Sequence, residues 1–219
     1  MAPRTYTQDF SLYAPNGGRK YLNRAERSRA LAVMQTLPIE RALFALTLAW
    51  TGARVSEVLA LTPVSFQIET GVVALHTLKR RASVVREVPI PPELMKALDR
   101  HFAISSAQLD SAAARRRLWK FDRTTAWRMV KSVMHRSRIA GAQACPKGLR
   151  HAFGLGVLQA GVPVTQAKKW LGHSRLTSTE IYLMASGPED VTFAARFWRA
   201  NDNRAPLDSR PSRGNHARR

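Results

Sequence analysis

The sequence predicts an α+β domain, mostly α-helical, with one small antiparallel sheet of two to three strands. Three observations lead there. Apolar residues recur at helical spacing along most of the chain, bounded by capping and breaking residues. Two β-branched runs, Val72-Val73-Ala74-Leu75 and Val84-Val85-Arg86-Glu87-Val88, stand close together near the middle. With 219 residues and 45% hydrophobic content, the chain can bury one well-packed core.

Residues 1–21 carry Pro3, Pro15, Gly17 and Gly18 among polar neighbours and are expected to form an arm or linker. Asn23 with Glu26 three positions on resembles a capping box, opening a helix that reaches about Thr36. Pro38 punctuates. Residues 39–50 are apolar on nearly every side apart from Glu40 and Arg41, as a helix at the centre of a fold should be, and Gly52 ends it. Val55, Val58, Leu59 and Leu61 predict a third helix from about Arg54, stopped by Pro63. The β-branched runs follow as a hairpin with Lys79-Arg80-Arg81 in its turn region.

Pro91-Pro92 begins a helix to about Phe102, followed by a short helical piece and the run Arg115-Arg116-Arg117. Residues 122–139 read as a long basic helix. Further helices are expected at 147–160, 164–171, 177–185 and 189–199, separated by Gly161-Val162-Pro163, Gly172 and Gly187-Pro188. From Asn201 onward there are too few apolar groups to fold, so residues 201–219 are expected to be a flexible basic tail and residues 22–200 the domain proper.

A net charge of +20, from 35 basic against 15 acidic residues, points to a polyanionic partner, because phosphate neutralisation releases counterions. Between Arg115 and Arg138 the basic residues face a single acid, Asp122, and Trp119, Phe121 and Trp127 are interleaved with them. That composition suits gripping a phosphate backbone. Arg128, Lys131 and Arg138 are the candidate DNA contacts there, and Arg80 and Arg81 fit generic backbone contacts. The lone Cys145 excludes an internal disulfide or a cysteine-cluster zinc site and is expected to be a buried structural thiol. The six histidines show no metal-ligand spacing. Neither an apolar signal core nor a membrane-length apolar run is present, so the expected setting is cytoplasmic.

Four residues carry the chemistry. Arg54 in Thr51-Gly52-Ala53-Arg54-Val55-Ser56-Glu57 and Arg150 in Pro146-Lys147-Gly148-Leu149-Arg150-His151 are planar forked cations that can hold the non-bridging oxygens of a phosphodiester. Tyr182 offers a phenol as nucleophile. His173, in Leu171-Gly172-His173, can hydrogen-bond a phosphate oxygen or exchange a proton near the tyrosine. Each alone has an ordinary structural explanation: an ion pair for either arginine, core packing for the tyrosine, a helix end for the histidine.

Together, in this order, these boxes resemble those of the tyrosine recombinases, also called the phage integrase family, in their catalytic domain. The resemblance covers roughly residues 22–200. It implies the family's catalytic-domain fold and strand cleavage by Tyr182, leaving a 3′-phosphotyrosyl link and a free 5′-hydroxyl. Bond energy is retained, so rejoining requires no cofactor, ATP or metal. It also implies a lysine in the β-hairpin turn as general acid, for which Lys79 is the choice. A synaptic homotetramer on two double-stranded DNA sites is a further implication, with residues 189–200 suited to pass to a neighbouring subunit or to fold back, and with accessory proteins or a partner recombinase as possible additions.

Two features depart from the family pattern. Its box usually reads His-x-x-Arg, but Lys147 stands three residues before Arg150. A lysine at its ordinary pKa can donate to phosphate but cannot accept a proton at pH 7, so proton acceptance is left to water or His173. His151 is not expected to substitute, because the next residue on a helix is rotated by about 100° from Arg150; family members often carry a histidine there too, and the resemblance implies a packing role for it. The 21 residues ahead of the domain are also too few for the amino-terminal clamp domain of many relatives, so the chain resembles minimal members made of a catalytic domain alone. The competing readings are a non-catalytic DNA-binding or directionality protein on the same fold and a type IB topoisomerase-like enzyme.

Overall fold

The computed structural model describes residues 11–77, 84–182 and 194–195. The chain divides into two units, Met1–Ala185 and Ser186–Arg219, and every named element lies in the first. In chain order these are α1 (Arg24–Gln35), α2 (Ile39–Thr51), α3 (Val55–Leu59), β1 (Phe66–Gln67), β2 (Val72–Thr77), β3 (Val84–Pro89), α4 (Pro92–Phe102), α5 (Ile104–Ala107), α6 (Arg123–Arg136), α7 (Pro146–Gln159), α8 (Val164–Leu171) and α9 (Thr177–Glu180). None of the helices among the described residues is long and apolar enough to cross a membrane.

The capping box forms: Asn23 accepts from the Glu26 amide at 2.8 Å and Glu26 accepts from the Asn23 amide at 2.9 Å. Arg19 reaches the same carboxylate with both terminal nitrogens at 3.2 Å, and Leu12, Tyr21 and Leu22 are buried, so residues 11–22 pack onto the body. Helix α2 is the central element. Leu43, Phe44, Ala45, Leu48 and Ala49 are all buried, and α1, α3, α4 and α7 pack around it. Gly52 closes it at φ 60°, and a β-carbon there would also collide with the Phe153 ring, so glycine is required twice over.

The sheet is three-stranded and antiparallel in the order β1-β2-β3, with Val73 opposite Val88 and Leu75 opposite Arg86. The loop joining β2 to β3, with Lys79, Arg80 and Arg81, lies outside the described residues. So does the expected helix at 189–199, apart from residues 194 and 195.

Helix α6 begins where expected, with Asp122 accepting from the Thr125 amide at 2.7 Å, but it ends at Arg136 rather than near Ile139. Arg138 turns left-handed at φ 54°. Of the three aromatics in this basic stretch, Trp119 proves to be core and Phe121 packs half-buried against the core. Trp119 is 1% exposed and donates its indole N–H to the Glu40 carbonyl, and Phe121 packs edge-on to Phe44. Both precede the helix and pack against α2, so only Trp127, 48% exposed, shares a surface with the basic side chains.

Candidate active site

The αL turn at Gly52 reverses the chain so that Arg54 becomes the N-cap of α3 and Glu57 falls in its first turn. Glu57 is 2% exposed. It accepts from the Arg54 amide and from Arg54 Nη1, both at 2.8 Å, and from Arg86 Nη2 at 2.6 Å. Burial alone would raise this carboxyl. The hydrogen bond and charge of Arg86, helped by Arg54, outweigh it and hold the group below its ordinary value. Arg86 continues outward from β3, donating Nη1 to Thr77 Oγ1 at 3.1 Å and Nε to the Trp170 carbonyl at 2.8 Å. The buried Glu57–Arg86 ion pair therefore ties α3 to β3, and the Nε hydrogen bond ties β3 to the end of α8. Gly172, at φ 66°, leaves Arg86 room to pass.

Arg150, on α7, is 8% exposed. Its Nη1 and Nη2 donate to the carbonyls of Gly52 and Leu171, each at 2.6 Å. These are the closing residues of α2 and α8, so the guanidinium is locked by two helix ends. Burial and then the neighbouring Arg54 charge push its pKa down to about 10. No carboxylate forms an ion pair with it among the described residues. A buried cation satisfied by carbonyl dipoles but not neutralised is a site poised for an anion.

Tyr182 is 3% exposed, and its hydroxyl lies 3.0 Å from His151 Nδ1. Its ring rests on Gly154, where a β-carbon would stand 2.6 Å from Tyr182 Cζ. The His173 ring lies nearly parallel to it, at 14° with centroids 6.4 Å apart. His173 Nδ1 is held by Thr179 Oγ1 at 2.9 Å. Burial raises the phenol to about 12 despite the opposing pull of Arg150 and Arg54. Burial and then the charge of Lys147 lower His151 to about 4, while burial, Arg150 and Arg54 lower His173 to about 3, so both rings are neutral near pH 7.

A cavity of about 650 Å³ gathers these groups. Of the sequence-derived candidates, Arg54, Lys147, Arg150, His173 and Tyr182 line it. Lys147 does so from the first turn of α7 with its side chain exposed. Lys79, Arg80 and Arg81 lie outside the described residues. Arg128, Lys131 and Arg138 do not line the cavity: Arg128 and Arg138 are exposed elsewhere, and Lys131 donates to the Ala144 carbonyl at 2.9 Å.

Five residues at or behind the site were not among the sequence-derived candidates. Arg123 and Trp127, one helical turn apart on α6, line the cavity in place of the three guessed basic residues. His151, expected to pack, touches the tyrosine hydroxyl. Arg86 supports Glu57, and its signal was available: it shares the inward parity of Val88 on β3, the position where a charge is least expected. Cys145, expected to be buried, is half-exposed at the N-cap of α7 and lines the cavity, because the backbone opens there into the helix start.

Comparison with known proteins fits this geometry. The model of the phage integrase family matches residues 20–187. The tyrosine recombinase XerA of Thermococcus kodakarensis is 29% identical over 171 residues, covering 77% of this chain and 59% of that protein. XerD of Yersinia pestis is 30% identical over 138 residues, 60% of this chain and 45% of that protein. The chain thus spans less than two thirds of the length of these curated relatives. In fold it is similar to a XerA recombinase crystal structure (TM-score 0.63, 23% identity, 84% of this chain and 66% of that one). It is also similar to the catalytic domain of bacteriophage HP1 integrase (TM-score 0.58, 22% identity, 84% of this chain and 98% of that one).

Proposed function

This chain belongs to the phage integrase family, and from that premise we propose that it is a site-specific recombinase that cuts and rejoins double-stranded DNA through a 3′-phosphotyrosyl intermediate on Tyr182. The observation that carries the reading is Arg150: buried, un-neutralised, and in one cavity with Arg54 and Tyr182. A phosphodiester is the anion this arrangement suits, because the forks of two arginines stabilise charge that gathers on the non-bridging oxygens during attack.

In the proposed step the Tyr182 oxygen attacks phosphorus, the bond to the 5′-oxygen breaks, and that oxygen takes a proton from a general acid, which we assign to Lys79. With the phenol raised to about 12, ionising it beforehand at pH 7 would cost about 7 kcal/mol, so the proton leaves as the new bond forms. Lys147 donates to a phosphate oxygen, and His173 supplies a second hydrogen bond there. Arg123 and Trp127 meet the backbone on the α6 side, with Arg80, Arg81, Arg128, Lys131 and Arg138 as further contacts. Two DNA sites are joined by a homotetramer.

The test is covalent trapping. Purified protein and a Tyr182→Phe control are incubated with nicked suicide duplexes, including sequence flanking its own gene. A denaturant-resistant adduct with the wild type alone is expected. Tight binding of the same duplex without an adduct would favour a non-catalytic DNA-binding protein, and relaxation of supercoils by isolated monomers would favour a topoisomerase-like activity.

A further inference from the structure

We propose that His151 is the general base for Tyr182, accepting the phenolic proton at Nδ1 as the tyrosine oxygen bonds to phosphorus. This rests on the cleavage reading above. The geometry is direct: Nδ1 and the hydroxyl oxygen are 3.0 Å apart, the separation of a made hydrogen bond between the nucleophile and a base. Two adjacent residues of α7 thereby divide the work. Arg150 reaches toward the ends of α2 and α8, while His151, about 100° further round, meets Tyr182 arriving from beyond α9.

The other candidates are less suited. Lys147 occupies the position where a base would stand and holds three donors with no acceptor. The His173 ring lies nearly parallel to the phenol ring with centroids 6.4 Å apart, and its Nδ1 is engaged by Thr179 rather than by the phenol. His151 is kept in its basic, neutral form by burial and by the charges of Lys147 and Arg150 on its own helix and Lys20 from the N-terminal segment. Its Nε2 is buried without a partner among the described residues. With Nδ1 accepting, the ring proton resides on Nε2.

The balance closes simply. The phenolic proton moves to Nδ1, the tyrosine oxygen bonds to phosphorus, the phosphorus–5′-oxygen bond breaks, and the 5′-oxygen is protonated by the general acid. The phenol becomes acidic as its oxygen gains the phosphorus bond, so a weak base suffices late in the step. On religation the imidazolium returns the proton to the departing phenol.

The test compares wild type, His151→Asn and His151→Gly in single-turnover cleavage of the nicked duplex from pH 6 to 9. Asparagine can place an acceptor near the Nδ1 position, but it takes no proton. His151→Asn is expected to cleave on the order of 100-fold more slowly and to gain rate with pH, while the wild type is nearly flat; imidazole should restore part of the His151→Gly rate. Wild-type rate and pH profile in His151→Asn would overturn the proposal. So would a slow variant with an unchanged profile and no imidazole rescue, which marks a structural role. Where neither variant folds, ¹⁵N shifts of the wild-type ring decide: a lone pair on Nδ1 is expected, and a proton there overturns it. If the wild type itself forms no Tyr182-dependent adduct, the cleavage reading fails instead.

Discussion

Replacing Gly154 by alanine separates placement of the tyrosine from the stability of the fold. Gly154 lies inside α7 with an ordinary helical backbone, so alanine is compatible there and should gain about 1 kcal/mol of helix propensity. Its β-carbon, however, would stand 2.6 Å from Cζ and 2.7 Å from Cε2 of Tyr182. Ordinary carbon contact is near 3.6 Å, so the ring must retreat by about 1 Å. Overpacking of this kind costs about 1–3 kcal/mol, which leaves a net loss of about 0–2 kcal/mol. A displacement of about 1 Å at a reacting atom lowers rates about 100-fold. The assay is the initial rate of adduct formation on the suicide duplex, alongside a thermal melt. Gly156→Ala is the control: it lies in the same helix, where a β-carbon meets nothing nearer than Arg27 Nη1 at 3.9 Å, so it should melt no lower than the wild type and cleave at its rate. Wild-type cleavage by Gly154→Ala would refute the inferred dependence on the position of the ring.

Two further outcomes follow from the same geometry. Glu57→Gln leaves Arg86 as a buried cation without its counter-charge, which should cost about 3 kcal/mol in urea unfolding at pH 7. Because the folded carboxyl titrates below its ordinary 4.5, the wild type holds this advantage above that pH and loses it as pH falls through the lowered value; an advantage that instead grew in acid would contradict the assigned ion pair. Arg123→Ala and Trp127→Ala should weaken duplex binding without lowering the melting temperature. For Arg123→Ala the slope of log affinity against log salt should shrink by about one, and an unchanged slope would remove it from the interface.

Much of the fold was legible because the signals were local. The Asn23 and Glu26 cap, the all-apolar α2, the β-branched pair of strands and the glycine stops at Gly52 and Gly172 each act within a few residues, and each stands where expected. The cavity residues Arg54, Lys147, Arg150, His173 and Tyr182 were legible as motifs. What escaped depends on partners far along the chain. On α7 alone His151 is turned about 100° from Arg150, but its partner Tyr182 lies 31 positions later. Trp119 and Phe121 matched the composition of a DNA-gripping surface, but they sit before the helix and pack against α2. Arg86 has a meaning only beside Glu57, 29 positions earlier.

The most direct measurement is the chemical identity of the covalent link. The trapped complex is digested with protease and nuclease, and the modified peptide is sequenced by mass spectrometry, with the released strand end analysed in parallel. A nucleotide joined through its 3′-phosphate to Tyr182, together with a free 5′-hydroxyl on the released strand, is the expected result. A nucleotide on any other residue, or a 5′-phosphate at the released end, would contradict the assignment of Tyr182 as the nucleophile.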